Sequence, residues 1–177
     1  MPVNVITAGI LTTIQDLGRP GYYHLGIPMG GAMDRYAMRA ANLLVGNAED
    51  AAGLEAVFMG PELEFTEAAT VAVCGAELPP KVNGELRETW TAFDVAAGDV
   101  LSFEFLQSGA RGYIAISGGI VTPPALGSRS TYAIGALGGY EGRAIQPGDT
   151  LPLGASATGR AGKSVPSGLR RGPSPDG

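Results

Sequence analysis

The hydrophobic positions of this chain form short runs that are typical of β-strands. Seven runs are rich in β-branched and aromatic residues and are separated by Gly, Pro or Asn turns. They are VNVIT, LEAVF, ELEFT, TVAVCG, TAFDVA, DVLSFEFL and RGYIAIS. In DVLSFEFL, Leu101, Phe103 and Phe105 share one side, which predicts a strand with one buried face. The Asn83-Gly84 pair predicts a tight hairpin turn between two further short strands.

One segment, MDRYAMRAANLLVGN, has the spacing of an amphipathic helix. The positions that share its apolar face are Met33, Tyr36, Ala37, Ala40 and Leu44. Asp34 stands near the helix start, where its carboxylate can accept backbone N–H groups, and Gly46-Asn47 predicts the end. Many antiparallel strands with one or two helices predict a mainly β fold that forms a closed or nearly closed barrel.

The composition changes after residue 154. Residues 155–177 have no hydrophobic periodicity and are rich in Gly, Ser, Pro and Arg, which predicts a flexible linker or disordered tail after a folded domain of residues 1–154. Within this tail, ATGRAGKS matches a loose phosphate-loop pattern. A working phosphate loop opens a helix, and Pro166 and Gly168 follow too closely for one. We therefore do not expect this segment to bind phosphate.

Composition and charge exclude several classes of function. The chain of 177 residues has the length of one domain, is 45% hydrophobic and carries a net charge of −5. Nucleic acid and anionic membranes are therefore not expected as partners. A single cysteine, Cys74, and a single histidine allow neither an intrachain disulfide nor a His/Cys metal cluster. Without a signal peptide or a membrane-length apolar stretch, we expect a cytoplasmic protein.

Several long segments of the chain resemble one protein family. GILTTIQDLGRPGYYHLGIPMGGAMDRYAMRAANLLVGN resembles the start of the C-type subunits of 5-oxoprolinase. Members of this family are also called KipA-like or allophanate hydrolase subunit 2 proteins and are related to the carboxyltransferase part of urea carboxylase. The resemblance continues through LEAVFMGPELEF, VAVCGAEL, GYIAISGGI, LGSRST and GGYEGRAIQPGDTLPLG. It covers nearly everything from Val3 to Gly154.

The resemblance implies a cyclophilin-like β-barrel that works with partner chains. These are a KipI-like, B-type subunit and, in the oxoprolinase, a third subunit. The implied reaction is the ATP-dependent opening of 5-oxoproline, a small cyclic amide, to glutamate, with ATP bound through the complex. Members of the family are nearly twice as long, so the resemblance implies a truncated chain with only the first half.

Two other functions stay open from the sequence. One is a biotin-dependent carboxyltransferase component like that of urea carboxylase. The chain has no MKM biotin-acceptor motif, so biotin would arrive on another chain. The other is a non-catalytic module that binds a KipI-like protein and thereby regulates it.

The resemblance implies that Thr12–Asp34 is a long loop that places polar groups at a cleft. Gln15 and Arg19 are candidate substrate-binding residues, and Asp16 is a candidate catalytic residue. Asp16 can accept backbone amides or pair with Arg19, and a guanidinium can hold a carboxylate or phosphate. The alternative is an internal Asp–Arg pair that shapes the turn. His24 is a candidate acid or base because histidine titrates near neutral pH, and otherwise it is a partly exposed loop residue.

The segment GIPMGGAMD offers a second set of candidates. The backbone amides of Gly30, Gly31 and Ala32 can bind an anion, and Asp34 is the third candidate catalytic residue. The alternative is a helix start that Asp34 caps. Glu55 stands in the apolar run GLEAVF, so it either pairs with an arginine such as Arg19 or lines the site.

The segment LGSRSTY forms a second polar group after a Pro-Pro turn. Its candidate binding residues are Ser128, Arg129, Ser130 and Thr131. Three hydroxyls and a guanidinium suit a phosphate or carboxylate ligand. The alternative is a loop that satisfies its own backbone. Arg143, in GGYEGR, is a further candidate.

Overall fold

The computed structural model of the chain describes residues 2–155 and 157–170. Eleven strands and one α-helix make up this described part. The strands are β1 (Pro2–Thr7), β2 (Leu11–Gln15), β3 (Gly53–Val57), β4 (Glu62–Phe65), β5 (Ala69–Glu77), β6 (Pro80–Val82), β7 (Glu85–Leu86), β8 (Ala92–Val95), β9 (Val100–Phe103), β10 (Ser108–Ile116) and β11 (Thr150–Pro152). The helix α1 spans Arg35–Val45, and single turns of 3-10 helix lie at Tyr23–Leu25, Ala133–Gly135 and Ser167–Leu169.

The strands form two antiparallel sheets. The first has the order β11-β1-β4-β9-β6-β7, and the second has the order β2-β3-β10-β5-β8. All seven strands that the hydrophobic pattern predicted are present, and the mainly β fold with one or two helices is confirmed. Within this barrel-like fold, hydrogen bonding divides the strands into two open sheets.

A layered core explains the alternation along the central strands. Val71 and Val73 of β5 pack into the core between the two sheets. Ala72 and Cys74, which alternate with them, pack on the opposite face of the second sheet in the cluster that contains α1. Because β5 is buried on both faces, its sequence is apolar at nearly every position. Burial raises the pKa of the Cys74 thiol, so this thiol stays protonated and unreactive.

Helix α1 packs on the second sheet through a face that differs in part from the predicted one. Its buried apolar residues are Ala37, Met38, Ala41, Leu44 and Val45. Met33, which was predicted on this face, precedes the helix and is 71% exposed. The reason is that the first helical residue is Arg35, with Asp34 as its N-cap. Gly46 ends the helix in the left-handed conformation, as predicted.

Two strand predictions can be compared with the structure in detail. The Asn83-Gly84 hairpin is confirmed, since this pair joins β6 to β7 and both residues have positive φ. The prediction that Phe105 shares the buried face of its strand is wrong. Strand β9 ends at Phe103, and Phe105 is 84% exposed.

Strand β2 occupies the beginning of the segment that was predicted to be a loop. Thr12 and Ile14 are buried, and β2 pairs antiparallel with β3 along its whole length. The Gly and Pro content of Thr12–Asp34 is concentrated after Asp16, so the loop prediction is correct only for the later part. Asp16 directly follows the last residue of this strand.

Residues 157–170, which we call the C-terminal strap, lie against the second sheet and α1. Ala92 N–H donates to Lys163 C=O (2.8 Å), and Gly162 N–H donates to Ala92 C=O (2.9 Å). Val165 N–H donates to Trp90 C=O (3.0 Å), and Leu169 C=O accepts from Tyr36 (2.6 Å). Residues 156 and 171–177 of the predicted tail lie outside the described residues. The flexibility of the tail stays a prediction, but the strap makes specific backbone contacts.

The described part of the chain contains no helix of the length and apolarity needed to cross a membrane.

Candidate functional site

Asp16 is the centre of a buried polar cluster at the end of β2. Its Oδ1 accepts hydrogen bonds from Gly18 N–H (2.7 Å), Ser128 Oγ (2.6 Å) and Ser130 Oγ (2.5 Å). Its Oδ2 accepts from Arg129 N–H (2.5 Å). Only 8% of Asp16 is exposed. The carboxylate therefore joins two loops that are distant in sequence, and its orientation is fixed by four donors.

The loop that contains Ser128–Thr131 continues beside the free edge of β2. Thr131 N–H and Oγ1 both donate to Ile14 C=O, at 2.9 and 3.0 Å. Gln15 Nε2 donates to Thr13 Oγ1 (3.0 Å) and to Thr131 C=O (3.4 Å). Gln15 Oε1 is buried without a hydrogen-bond partner among the described residues. The hydroxyls predicted to bind a ligand thus serve mainly to hold this loop on β2.

Arg19 is a buried cation beside this cluster. It is 1% exposed, its Nε donates to Ala125 C=O (3.3 Å), and its Nη2 donates to Ser130 C=O. Within the described residues, Nη1 has no hydrogen-bond partner and Arg19 forms no ion pair. Of the two options expected for Asp16, acceptance from backbone amides is confirmed by Gly18 and Arg129, and the pair with Arg19 is wrong. Instead, Ser130 binds both charged groups, because its hydroxyl donates to Asp16 and its carbonyl accepts from Arg19.

A cavity of about 410 Å³ opens beside Asp16. Its polar lining residues are Asp16, Arg35, Asp50 and Arg129. Arg129 Nε donates to Thr122 C=O (2.7 Å), and Arg35 Nη2 donates to Leu17 C=O (2.8 Å). A guanidinium has five N–H donors, so both arginines keep donors for a ligand. The cavity thus combines two cations with two carboxylates.

Sequence reasoning missed two of these lining residues. Arg35 is the first residue of α1, directly after the Asp34 cap, and Asp50 lies in the turn after the helix. The available signal was position, since the loop that ends in Asp34 has to bring the first helical turn close to Asp16. The backbone makes this contact, because Ala32 N–H donates to Asp16 C=O (2.9 Å).

That contact also corrects the anion-binding interpretation of the glycine loop. The Ala32 amide, which was expected to bind an anion with its neighbours, is already used. The amides of Gly30 and Gly31 have no hydrogen-bond acceptor among the described residues. Both residues have positive φ, which glycine adopts at no steric cost. Gly30 and Gly31 therefore remain candidates for binding an anion.

Glu55 binds the segment before α1 and does not contact Arg19. Its Oε2 accepts from Met33 N–H (2.9 Å), and its Oε1 lies 3.4 Å from Arg111 Nε in an ion pair. The expected pairing with an arginine is confirmed, but the partner is Arg111 and not Arg19, which was named as the example. Tyr113 supports the same segment, because its hydroxyl accepts from Asp34 N–H (2.7 Å). Burial raises the pKa of Tyr113, and the nearby Glu55 carboxylate adds to this effect, so the hydroxyl stays protonated.

The other two candidate catalytic residues do not line this cavity. Asp34 caps α1, and its Oδ1 accepts from Ala37 N–H (3.0 Å). His24 is exposed in the 3-10 turn Tyr23–Leu25, with no hydrogen-bond partner in the described part of the chain. Asp16 is thus the one candidate catalytic residue at the cavity. The catalytic roles of all three residues stay predictions.

Arg143 is engaged by its own neighbours. Its guanidinium binds both oxygens of Asp149, at 2.7 and 2.9 Å, and Glu141 at 3.0 Å. It also lies over the ring of Tyr140, 5.2 Å from the centroid. Arg143 is not among the residues that line the cavity at Asp16. Its substrate-binding role stays a prediction.

We expect the pKa of Asp149 to lie below the ordinary value of about 3.9, because Arg143 hydrogen-bonds its carboxylate. A folded-state pKa below the unfolded one stabilises the fold above the unfolded pKa, and this contribution is lost as pH falls through the folded one. Arg143→Gln should raise the Asp149 pKa in an NMR titration. Arg87→Gln, which removes the separate Arg87–Glu85 pair, should leave it unchanged. An equal Asp149 pKa in the wild type and Arg143→Gln would contradict the assignment.

The loose phosphate-loop segment does not fit a nucleotide. Gly159 N–H donates to Asp94 Oδ2 (3.0 Å), and Gly162 N–H donates to Ala92 C=O (2.9 Å). A phosphate loop needs such amides to point at phosphate. Here they hold the C-terminal strap on the sheet.

Comparisons with known proteins relate this geometry to a family. The family described as "Carboxyltransferase domain, subdomain A and B" matches residues 25–176. The C-type subunit of 5-oxoprolinase from Escherichia coli (strain K12) is 40% identical over 154 residues, which is 87% of this chain and 50% of that protein. Urea amidolyase of Lachancea kluyveri is 41% identical over 150 residues, 84% of this chain and 8% of that protein.

A solved structure shows the same similarity in three dimensions. The crystal structure of the Kluyveromyces lactis urea carboxylase superposes with a TM-score of 0.89 and 35% identity, over 96% of this chain and 16% of that chain. The present chain thus spans about half the length of the oxoprolinase relative and a smaller share of the other two.

Proposed function

We propose a function from one premise: this chain belongs to the carboxyltransferase domain family, subdomain A and B. The resemblance to the C-type subunits of 5-oxoprolinase is confirmed by the 40% identity to the E. coli protein. Within this family, we propose that the chain is part of an ATP-dependent 5-oxoprolinase that opens 5-oxoproline to glutamate. It would act in the cytoplasm with a KipI-like, B-type subunit and a third subunit.

The observation that carries the proposal is the cavity that combines Asp16 with Arg35 and Arg129. 5-Oxoproline has one carboxylate and one planar ring amide. A guanidinium suits the carboxylate, because two parallel N–H groups can bind its two oxygens. Arg129 is the stronger candidate for this role, because its backbone N–H already contacts Asp16 and its side chain lines the cavity.

Asp16 suits the ring amide of the same substrate. Its Oδ1 is already used by three donors, whereas Oδ2 accepts only from Arg129 N–H. Because Oδ2 accepts one hydrogen bond where Oδ1 accepts three, Oδ2 has room for the substrate N–H as a second donor. Because four protein donors fix this carboxylate, it would orient the ring without reorganising. In this proposal Asp16 positions the amide, and Arg129 holds the carboxylate.

ATP belongs to a partner chain in this proposal. The segment that resembles a phosphate loop uses its amides to bind Asp94 and Ala92, and so does not fit a nucleotide. ATP would supply the free energy that drives ring opening. This chain would contribute the wall that binds the cyclic amide.

A second function, as a biotin-dependent carboxyltransferase component, is favoured by the superposition with urea carboxylase. Biotin, carried by another chain, would supply the transferred carboxyl group. Its ureido ring is a planar cyclic urea with N–H and C=O groups like those of an amide, so the same acceptor at Asp16 and donors at Arg35 and Arg129 fit it. Urea or a related amide would then be the acceptor.

The two functions can be separated by assaying the chain together with its partner subunits. With ATP and 5-oxoproline, we expect glutamate formation, and Arg129→Ala should lower kcat/KM by on the order of tenfold to a hundredfold. Arg87→Ala, at a surface pair outside the cavity, is the matched control and should be without effect. Carboxybiotin consumption that depends on urea, with no glutamate formed, would favour the second function. Tight binding of the partner without either turnover would contradict both.

A further inference from the structure

We propose that the groove between α1 and the C-terminal strap is a binding site for small amphipathic carboxylates. This groove, with a volume of about 800 Å³, is separate from the cavity at Asp16. Its volume lies within the range of cavities that bind small molecules. The proposal is independent of the proposed function, because it uses none of the residues assigned to it.

The floor of the groove is apolar. Leu43 projects from α1 and is 53% exposed, although it is a large hydrophobic residue. Ala40 and Leu44 of the same helix lie beside it, and Val165 is the apolar residue that the strap adds to the floor. Val165 and Ala40 also pack against the core cluster beneath the helix, so this floor is preformed. Covering Leu43 with an apolar ligand would remove its surface from water, which is favourable.

Two cations stand at the strap side of this floor. Arg160 and Lys163 line the groove, and within the described residues their side chains form no ion pair or hydrogen bond. The one carboxylate that lines the groove, Glu49, is held by Arg39, with Nε to Oε2 at 2.5 Å. The groove therefore has two cations without an acidic partner and one neutralised pair.

Backbone contacts fix the part of the strap that carries these two residues. Lys163 C=O accepts from Ala92 N–H (2.8 Å), and Lys163 N–H donates to Arg160 C=O (3.1 Å). The guanidinium of Arg160 lies directly against Gly46, where a Cβ atom would overlap its Nε. Glycine at the helix end thus makes room for this side chain. The fold thus places the backbone of both residues beside the apolar floor, and the Arg160 guanidinium lies against the end of α1.

This combination commits the site to one chemical class. A carboxylate fits the two cations, and an unbranched hydrocarbon tail fits the floor formed by Leu43 and Val165. Small multiply charged anions fit less well, because they would leave the apolar floor at Leu43 uncovered and because the whole chain carries a net charge of −5. We therefore assign the groove to a small monocarboxylate with an apolar tail.

The test uses the full chain and titrates it with hexanoate, octanoate and decanoate. We expect saturable binding of one molecule, with NMR shifts of backbone amides in residues 39–44 and 160–165. The double variant Arg160→Gln/Lys163→Gln should weaken octanoate binding by about tenfold or more, because both charge-assisted contacts are lost. Lys81→Gln/Arg87→Gln is the matched control, since it removes two cations from ion pairs on the other sheet and should leave binding unchanged.

Two further measurements distinguish a carboxylate site from an apolar surface. 1-Octanol should bind at least about tenfold more weakly than octanoate. Leu43→Asp, at a side chain that is already half exposed, should keep the fold and remove octanoate binding. The proposal is overturned by the absence of saturable binding, by equal affinities for octanol and octanoate, by an unaffected double variant, or by shifts confined to the cavity at Asp16.

Discussion

Asp16→Asn is expected to lower the free energy of unfolding by about 3 kcal/mol or more. Both carboxylate oxygens of Asp16 accept, from Gly18 N–H, Ser128 Oγ and Ser130 Oγ at Oδ1 and from Arg129 N–H at Oδ2. Asparagine replaces one of these oxygens by an NH₂ group, which places a donor against a donor. Each buried polar group left without a partner costs about 1–3 kcal/mol, and the remaining bonds lose their charge assistance.

Urea unfolding, monitored by the fluorescence of the buried Trp90, measures this loss. Asp50→Asn is the matched control, because Asp50 lines the same cavity but is exposed and makes no hydrogen bond within the described residues. It should change stability by less than about 0.5 kcal/mol. Equal stabilities of the two variants would show that the carboxylate of Asp16 is not the centre of the cluster.

Gly138→Ala is expected to lower the free energy of unfolding by about 3 kcal/mol or more. Gly138 has a φ of +65°, and a Cβ atom there would overlap Ser130 O and lie 2.7 Å from Arg19 Nη2. The left-handed conformation costs alanine about 1–2 kcal/mol, and forcing atoms into a packed region adds about 1–3 kcal/mol. The substitution would displace the carbonyl that holds the buried guanidinium.

Gly127→Ala separates these two contributions. Gly127 has a φ of +78°, but a Cβ atom there would meet no atom within 4 Å. This variant should lose only the conformational part, about 1–2 kcal/mol. If both alanine variants lose the same stability in urea unfolding, the close approach of Gly138 to Ser130 and Arg19 does not contribute.

The fold could be predicted largely from local sequence pattern. The alternating strands were visible because each residue's side of the sheet depends only on its neighbours along the chain. Asp34 and Gly46 marked the helix ends for a similar reason, since caps are local chemistry. Strand β2 was missed because its β-branched residues precede a segment whose glycines and prolines dominated the pattern.

The partners in the site could be predicted only in part. Asp16 and the Ser128–Ser130 segment were each recognised as polar candidates, but the bond between Asp16 and Ser128 spans 112 residues. No spacing rule pairs groups at that distance. A carboxylate partner was one option for Arg19, whereas the carbonyl groups of Ala125 and Ser130 accept its hydrogen bonds instead. Charge alone therefore suggested the wrong partner.

The C-terminal strap has a consequence for how this protein can be shortened. Composition alone would place a cut after residue 154. Such a cut would remove the residues that bind Trp90 C=O and both backbone groups of Ala92, at the outer edge of the second sheet. An uncovered edge strand pairs readily with the same edge of another molecule. A shortened form would therefore self-associate and precipitate during expression, although its core would be complete.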